Sequence, residues 1–227
     1  GRDGVPMIQR PLLIAVEGCD GTGKTTLVAA LVRAFLSLGI PAASIKRPAK
    51  DALAAFYAQG QAVTDSQVLA MMNADCRATI DTARTMQSNG TPVIIFDRHY
   101  LSAAIYQGGS DWQGEFERQR ERWGEPDLWV FCDSYAEEVA ARIYQRDRDH
   151  DKETPLETIG ERLAQYQWMR RHVRAPWVEY WSIGLSALTI VARYSWDMED
   201  HFEGNDGEDF AEWMARKIKR KPDELHP

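Results

Sequence analysis

Five short apolar runs punctuate the chain: Leu12 to Glu17, Ala43 to Lys46, Pro92 to Asp97, Asp127 to Asp133 and Ala187 to Ala192. Between them, apolar residues recur at helical rather than alternating spacing. Strands that alternate with helices predict an α/β fold, a five-stranded parallel sheet with helices on both faces. The runs Val93 to Phe96 and Leu128 to Phe131 are almost continuous in apolar residues, as doubly covered strands are, and each leads to an aspartate, Asp97 and Asp133. Thr64 with Gln67 forms a capping-box pattern that predicts a helix running to about Ser88, with Leu69, Met72, Cys76 and Ile80 as its buried stripe. Thr154, Pro155 and Glu157 mark a second start, followed by a stripe of Leu156, Ile159, Leu163 and Tyr166. Gly207 to Arg220 reads as a last amphipathic helix, and the acidic segment Ser195 to Asp209 as a solvated loop.

The first strand runs into GCDGTGKTT, Gly18 to Thr26, which satisfies GxxxxGK[ST] between a strand and a helix, where that motif works. Gly18, Gly21 and Gly23 let the backbone wrap closely, so that N–H groups of the loop, Asp20, Thr22 and Thr26 included, can point at phosphate oxygens. Lys24 is then expected to reach the β- and γ-phosphates of a nucleoside triphosphate, and the Thr25 hydroxyl to bind Mg²⁺. Asp97 closes the third strand in a Walker-B-like place and is the second metal candidate. Arg98 beside it would set a permanently charged planar fork at the transferring phosphoryl group.

Composition narrows the setting. At 227 residues, 44% hydrophobic and 27% charged, the chain suits one globular domain, expected over residues 7–227. Gly1 to Pro6 read as a cloning remnant rather than a signal peptide. No apolar stretch approaches the roughly 20 residues of a membrane helix, so no membrane partner is expected. Cys19, Cys76 and Cys132 lack metal or disulfide spacing, which suits a reducing cytoplasm. A net charge of −7 has the wrong sign for gripping nucleic acid, so an anionic ligand must be held by local charge. The histidines show no ligand spacing and read as structural or exposed; Trp168, Trp177 and Trp181 read as core or dimer surface.

The run FDRHYLSAAIYQGG, Phe96 to Gly109, is far more specific than the phosphate loop. With IAVEGCDGTGKTTL and PDLWVFCD it resembles the thymidylate kinases, over most of Ile8 to about Gln167. The resemblance implies a P-loop NTPase fold with a mobile lid, ATP and Mg²⁺, a pyrimidine deoxynucleoside monophosphate (dNMP) as acceptor, and commonly a homodimer. It implies that Asp20 lies near the acceptor's sugar and phosphate and that Arg98 binds its phosphate. It places Arg77 at the base edge and Tyr106 against the 2′ position, with Ser102 and Gln107 lining the same region. The loop carries no arginine, so the resemblance is to the type whose transition-state arginine lies on the lid, here at about 142–153, with Arg142, Arg146 and Arg148 as catalytic candidates beside Lys24 and Arg98.

Two departures bear on specificity. Asn73 stands where the family commonly has a base-stacking phenylalanine; it shares a helix face with Arg77, so both could address one base. Either Met71 or Met72 fills the gap and thymine still binds, or the acceptor is a 5-substituted or 4-amino pyrimidine. After the second strand the run is Lys46-Arg47-Pro48-Ala49-Lys50; Lys46 or Arg47 is expected to serve the acceptor phosphate. Competing functions are a deoxynucleoside kinase, which needs a base such as Glu17 or Asp97 and is disfavoured by YQGG; a P-loop kinase acting on modified bases in DNA, disfavoured by the net charge; and a nucleotide-binding regulatory protein, disfavoured by intact Lys24, Thr25, Asp97 and Arg98.

Overall fold

A computed structural model describes residues 7–8, 10–48, 55–58, 63–146, 154–181 and 202–203. The elements in chain order are β1 (Met7–Ile8), β2 (Leu12–Gly18), α1 (Lys24–Ser37), β3 (Ala42–Lys46), α2 (Asp65–Ser88) and β4 (Val93–Asp97). They continue as α3 (Tyr100–Gln107), α4 (Trp112–Trp123), β5 (Leu128–Asp133), α5 (Ala136–Arg146), α6 (Leu156–Arg170), β6 (Trp177–Trp181) and β7 (Phe202–Glu203). A parallel sheet of five strands has the order β3-β4-β2-β5-β6.

Alternation along each strand sorts the core into two layers. Leu12, Ile14, Val16, Val93, Ile95, Leu128 and Val130 meet Leu27, Leu31 and Phe35 of α1 on one face. Ala15, Ile94, Phe96, Trp129 and Phe131 meet the other helices on the opposite face, through Leu101, Phe116, Ile159, Leu163 and Met169 among others. This is the expected P-loop architecture, and its polarity matters for the site. All five strands run the same way, so Gly18, Lys46, Asp97 and Asp133 end on one edge. The connections leave β2 and its neighbour β4 in opposite directions, which opens a crevice between their carboxyl ends, the usual ligand position in such sheets.

Several elements differ from expectation. The fifth strand is Trp177–Trp181. Its half-exposed, aromatic edge pattern gave no continuous apolar signal, and two of its tryptophans read as core or dimer surface instead. The run 187–192 and the helix 207–220 lie outside the described residues. Within the acidic segment, Phe202–Glu203 pair antiparallel with Met7–Ile8 rather than forming loop. The capping box of α2 is present, Thr64 and Gln67 each bonding the other's backbone. Its buried positions are Val68, Cys76, Thr79 and Ala83, so the stripe is rotated from the expected one and Leu69 is only half-buried. The start of α6 is in place, but Pro155 occupies the cap without a side-chain bond, and Leu156, 49% exposed, lies outside the stripe.

Trp129 links the core to the crevice: it is fully buried, bonds Glu125 through Nε1 at 2.9 Å and packs against Tyr100 and His99. Trp129→Ala is expected to cost about 3–5 kcal/mol of stability in urea unfolding. A loss below about 1 kcal/mol would show that this layer can collapse around the gap.

Candidate active site

The phosphate loop opens α1 without a side-chain cap. Gly23 occupies the cap at φ 87, and no acidic residue lies in the first turn. The first N–H groups of α1 therefore have no carboxylate or hydroxyl of their own and suit an external anion. Gly18 is required by close approach, since a Cβ there would sit 2.5 Å from the Cys132 carbonyl. Lys24 is almost fully buried, and its Nζ donates to the Cys19 carbonyl at 2.8 Å. Burial pushes its pKa down, opposed by the nearby Cys132, Glu17, Cys19 and Asp97. Thr22, also buried, donates its hydroxyl to the Cys19 carbonyl at 2.6 Å and so shapes the loop from inside.

At the end of β4, Asp97 accepts a hydrogen bond from the Thr25 hydroxyl at 2.9 Å. Hydroxyl and carboxylate so placed fit Mg²⁺, which commonly takes one or two protein oxygens and completes its shell with waters and phosphates. Arg98 follows at φ 72, a left-handed backbone state that non-glycine residues rarely adopt. Its Nη1 donates to Ser102 Oγ at 2.9 Å, and its Nη2 pairs with Asp20.

Two cavities meet at that pair. One, of about 400 Å³, is lined by Gly21, Gly23, Lys24, Thr25, Thr26, Lys46, Asp97, Arg142 and Arg146, together with Asp20 and Arg98. The other, of about 240 Å³, is lined by Arg47, Pro48, Tyr57, Met72, His99, Ser102, Tyr106 and Gln107, again with Asp20 and Arg98. Lys46 and Arg47, undivided in the sequence reading, thus line different cavities. Arg142 also donates to the Gly21 carbonyl at 3.1 Å, which brings α5 to the loop. Arg148 and residues 147–153 of the expected lid lie outside the described residues. Asn73 and Arg77 are not among the residues lining either cavity. The Asn73 Oδ1 accepts from Gln119 Nε2 at 2.9 Å, and the Arg77 guanidinium lies 5.4 Å from the Trp123 ring centroid.

A buried polar network underlies the junction. Glu17 is wholly buried and accepts from the His99 N–H at 2.7 Å, the Ser102 N–H at 3.2 Å and the Ser102 hydroxyl at 2.6 Å. Burial raises its pKa, against the lowering effect of Ser102 and Arg98. Ser102 Oγ also meets the Tyr166 hydroxyl at 2.9 Å. The guanidiniums of Arg162 and Arg98 lie 4.5 Å and 5.6 Å from the Tyr106 ring centroid; burial pushes its phenol up to about 12. Met72, one of the two methionines expected to fill the base gap, lines the smaller cavity, whereas His99, Pro48 and Tyr57 were not expected as its walls. Only His99 carried a signal, its place directly after Arg98.

Residues 16–172 match the sequence profile described as Thymidylate kinase. The chain is 23% identical over 173 residues to the thymidylate kinase of Leptospira interrogans serogroup Icterohaemorrhagiae serovar Lai, covering 70% of this chain and 81% of that protein. It is 27% identical over 157 residues to the thymidylate kinase of Desulfotalea psychrophila, covering 65% and 78%. Against the probable thymidylate kinase of Methanothermobacter thermautotrophicus it is 26% identical over 157 residues, covering 66% and 77%. No helix among the described residues is long and apolar enough to cross a membrane.

His99 supplies a pH test of this network. Burial first, and Arg47 second, hold its pKa well below 6.5, so the fold excludes a proton that the unfolded chain binds. Stability of the metal-free protein should therefore fall as pH drops from about 7 to about 5, by up to about 1.4 kcal/mol per unit from this group. Urea midpoints across that range should fall less steeply for His99→Gln; an identical slope would assign the loss to other groups.

Proposed function

Since the chain belongs to the thymidylate kinase family and is a phosphotransferase of the nucleoside monophosphate kinase class, we propose that it transfers the γ-phosphoryl group of ATP to the phosphate of a pyrimidine deoxynucleoside monophosphate, dTMP or a 5-substituted relative. The observation that carries this reading is the meeting of two cavities at Asp20 and Arg98. The phosphate-loop cavity suits the donor's phosphates and the second suits an acceptor nucleotide, so the reacting atoms would lie at the shared pair.

In that arrangement an oxygen of the acceptor's phosphate attacks the γ-phosphorus in line, the bond from phosphorus to the β,γ-bridging oxygen breaks, and ADP leaves. No general base is needed, because a phosphate monoester is largely ionised at neutral pH. The protein's part is positioning and charge. Loop N–H groups and Lys24 hold the donor, Arg142 and Arg146 bring charge from α5, Lys46 attends the acceptor phosphate, and Arg98 orients the attacking oxygen. Thr25 and Asp97 would hold Mg²⁺, which neutralises phosphate charge when bound. Tyr106 would crowd a 2′-hydroxyl and favour deoxyribose. Glu17 is a poor base for a nucleoside hydroxyl, since both its oxygens accept bonds from His99 and Ser102. We place the lid at about 142–153, treat residues 7–227 as one domain, and expect a cytoplasmic homodimer.

The test is ADP release from Mg-ATP with nucleosides, dNMPs, ribonucleotides and DNA offered in turn. Turnover confined to nucleosides or to DNA would overturn the reading. Arg98→Ala should lower turnover on the best dNMP by at least ~100-fold while ATP still binds; near-wild-type turnover would remove Arg98 from its role.

A further inference from the structure

One guanidinium stands apart from the phosphate chemistry. Arg47 is 4% exposed and lines the smaller cavity, whereas Lys24, Lys46, Arg98, Arg142 and Arg146 gather around the larger one. The two share Asp20 and Arg98, so an acceptor whose phosphate lies at that junction extends its sugar and base among residues belonging to the smaller cavity alone. Arg47 is one of these, beside Met72 and His99.

Its side chain is fixed on three sides. Nε donates to Asp75 Oδ2 at 3.3 Å, Nη2 to the Met72 carbonyl at 3.4 Å, and Nη1 meets His99 Nδ1 at 2.6 Å. A guanidinium cannot accept, so His99 Nδ1 is the acceptor and the ring is neutral in that contact. The Cys76 thiol takes a further bond from Arg47, so of its five N–H groups one is left for a ligand in the cavity that Arg47 lines. Meanwhile Asn73 is tied to Gln119, whose Oε1 accepts from Trp123 Nε1 at 2.8 Å, and Arg77 lies over that same indole. The pair expected at the base edge is thus engaged with α4.

We propose that Arg47, held by Asp75 and His99, reads the edge of the acceptor's base and selects a pyrimidine with a carbonyl at position 4. This rests on the dNMP kinase reading and narrows it. A guanidinium only donates, so thymine, uracil or a 5-substituted uracil presents an acceptor to it, while a 4-amino pyrimidine presents a donor and leaves a buried N–H unpaired.

The experiment measures dissociation constants by titration calorimetry and kcat/KM for dTMP, dUMP and dCMP, in the wild-type chain and in Arg47→Gln, Arg47→Lys and Arg77→Gln. The wild type should favour dTMP and dUMP over dCMP by at least ~100-fold. In Arg47→Gln that ratio should fall below ~10-fold, chiefly through weaker dTMP binding and higher KM, with ATP affinity retained as the control on folding. Should Arg47→Gln lose ATP binding, Arg47→Lys, which keeps the charge and loses the fork, decides by the same ratio. Equal weakening of all three acceptors would assign Arg47 to the phosphate and overturn the proposal. So would a collapse of the ratio in Arg77→Gln with none in the Arg47 variants, or a wild type that prefers dCMP. Calorimetry separates the two readings: selective binding without ADP formation sinks the kinase function and leaves Arg47 its role, and a chain that binds no dNMP sinks both.

Discussion

Arg98 is held at φ 72, a conformation that costs an L residue about 1–3 kcal/mol. The surroundings over-determine it. Its N–H donates to the Val16 carbonyl at 3.0 Å, its guanidinium bonds Ser102, and its other arm pairs with Asp20. Hydrogen bonds to charged groups contribute about 1.5–3 kcal/mol each, so these contacts can offset the strain. What the strain achieves is position. The side chain leaves β4 toward the phosphate loop, where both cavities reach it. An arginine free in solution would lose rotamer entropy on meeting a phosphate; here most of that ordering is complete beforehand.

Beneath Arg98, the carboxylate of Glu17 solves a problem of helix ends. His99 caps α3 without a side-chain bond of its own, and the first N–H groups of a helix need acceptors. Glu17 reaches across from β2 and accepts from the N–H groups of His99 and Ser102, which ties the two central strands together at their carboxyl ends. Its second oxygen takes the Ser102 hydroxyl, the same hydroxyl group that receives a bond from Arg98. Strand packing, helix capping and placement of the guanidinium are therefore one connected set of bonds, and a change in any member is felt at the junction.

Much of this was legible in the chain. The strands β2, β4 and β5 lie within a residue or two of their apolar runs, because a doubly covered strand must be apolar on both faces and little else produces that pattern; β3, an edge strand with no buried residue, also lies at its run, Ala43 to Lys46. The phosphate loop was legible because its glycines are set by backbone geometry and its position by the preceding strand. The edge strand Trp177–Trp181 was not, since one covered side leaves only a weak alternation. His99 was read as structural or exposed because isolated histidines carry no spacing; its meaning comes from Arg47, which lies 52 positions away. Asn73 and Arg77 show the same limit from the other side. Their i, i+4 spacing established that they share a face of α2, but not whether that face meets the cavity or α4.

The division of labour between Lys46 and Arg47 follows from strand geometry. β3 pairs in parallel with β4, placing Lys46 opposite Asp97, and the Arg47 N–H continues the pairing to the Asp97 carbonyl at 3.0 Å. Successive side chains on an extended backbone point to opposite sides, so two adjacent cations at its end cannot serve one anion equally. The register gives Lys46 to the phosphate-loop cavity and Arg47 to its neighbour. A compact ammonium suits a phosphate, around which charge matters more than direction. A planar fork suits a site where the direction of each N–H discriminates between acceptors and donors. In a chain of net charge −7, with cations gathered around the phosphate-loop cavity, a further buried guanidinium away from them is costly to desolvate unless its remaining N–H groups find acceptors. The contacts from Asp75, His99, Met72 and Cys76 supply most of these, and what remains is left to whatever occupies the cavity.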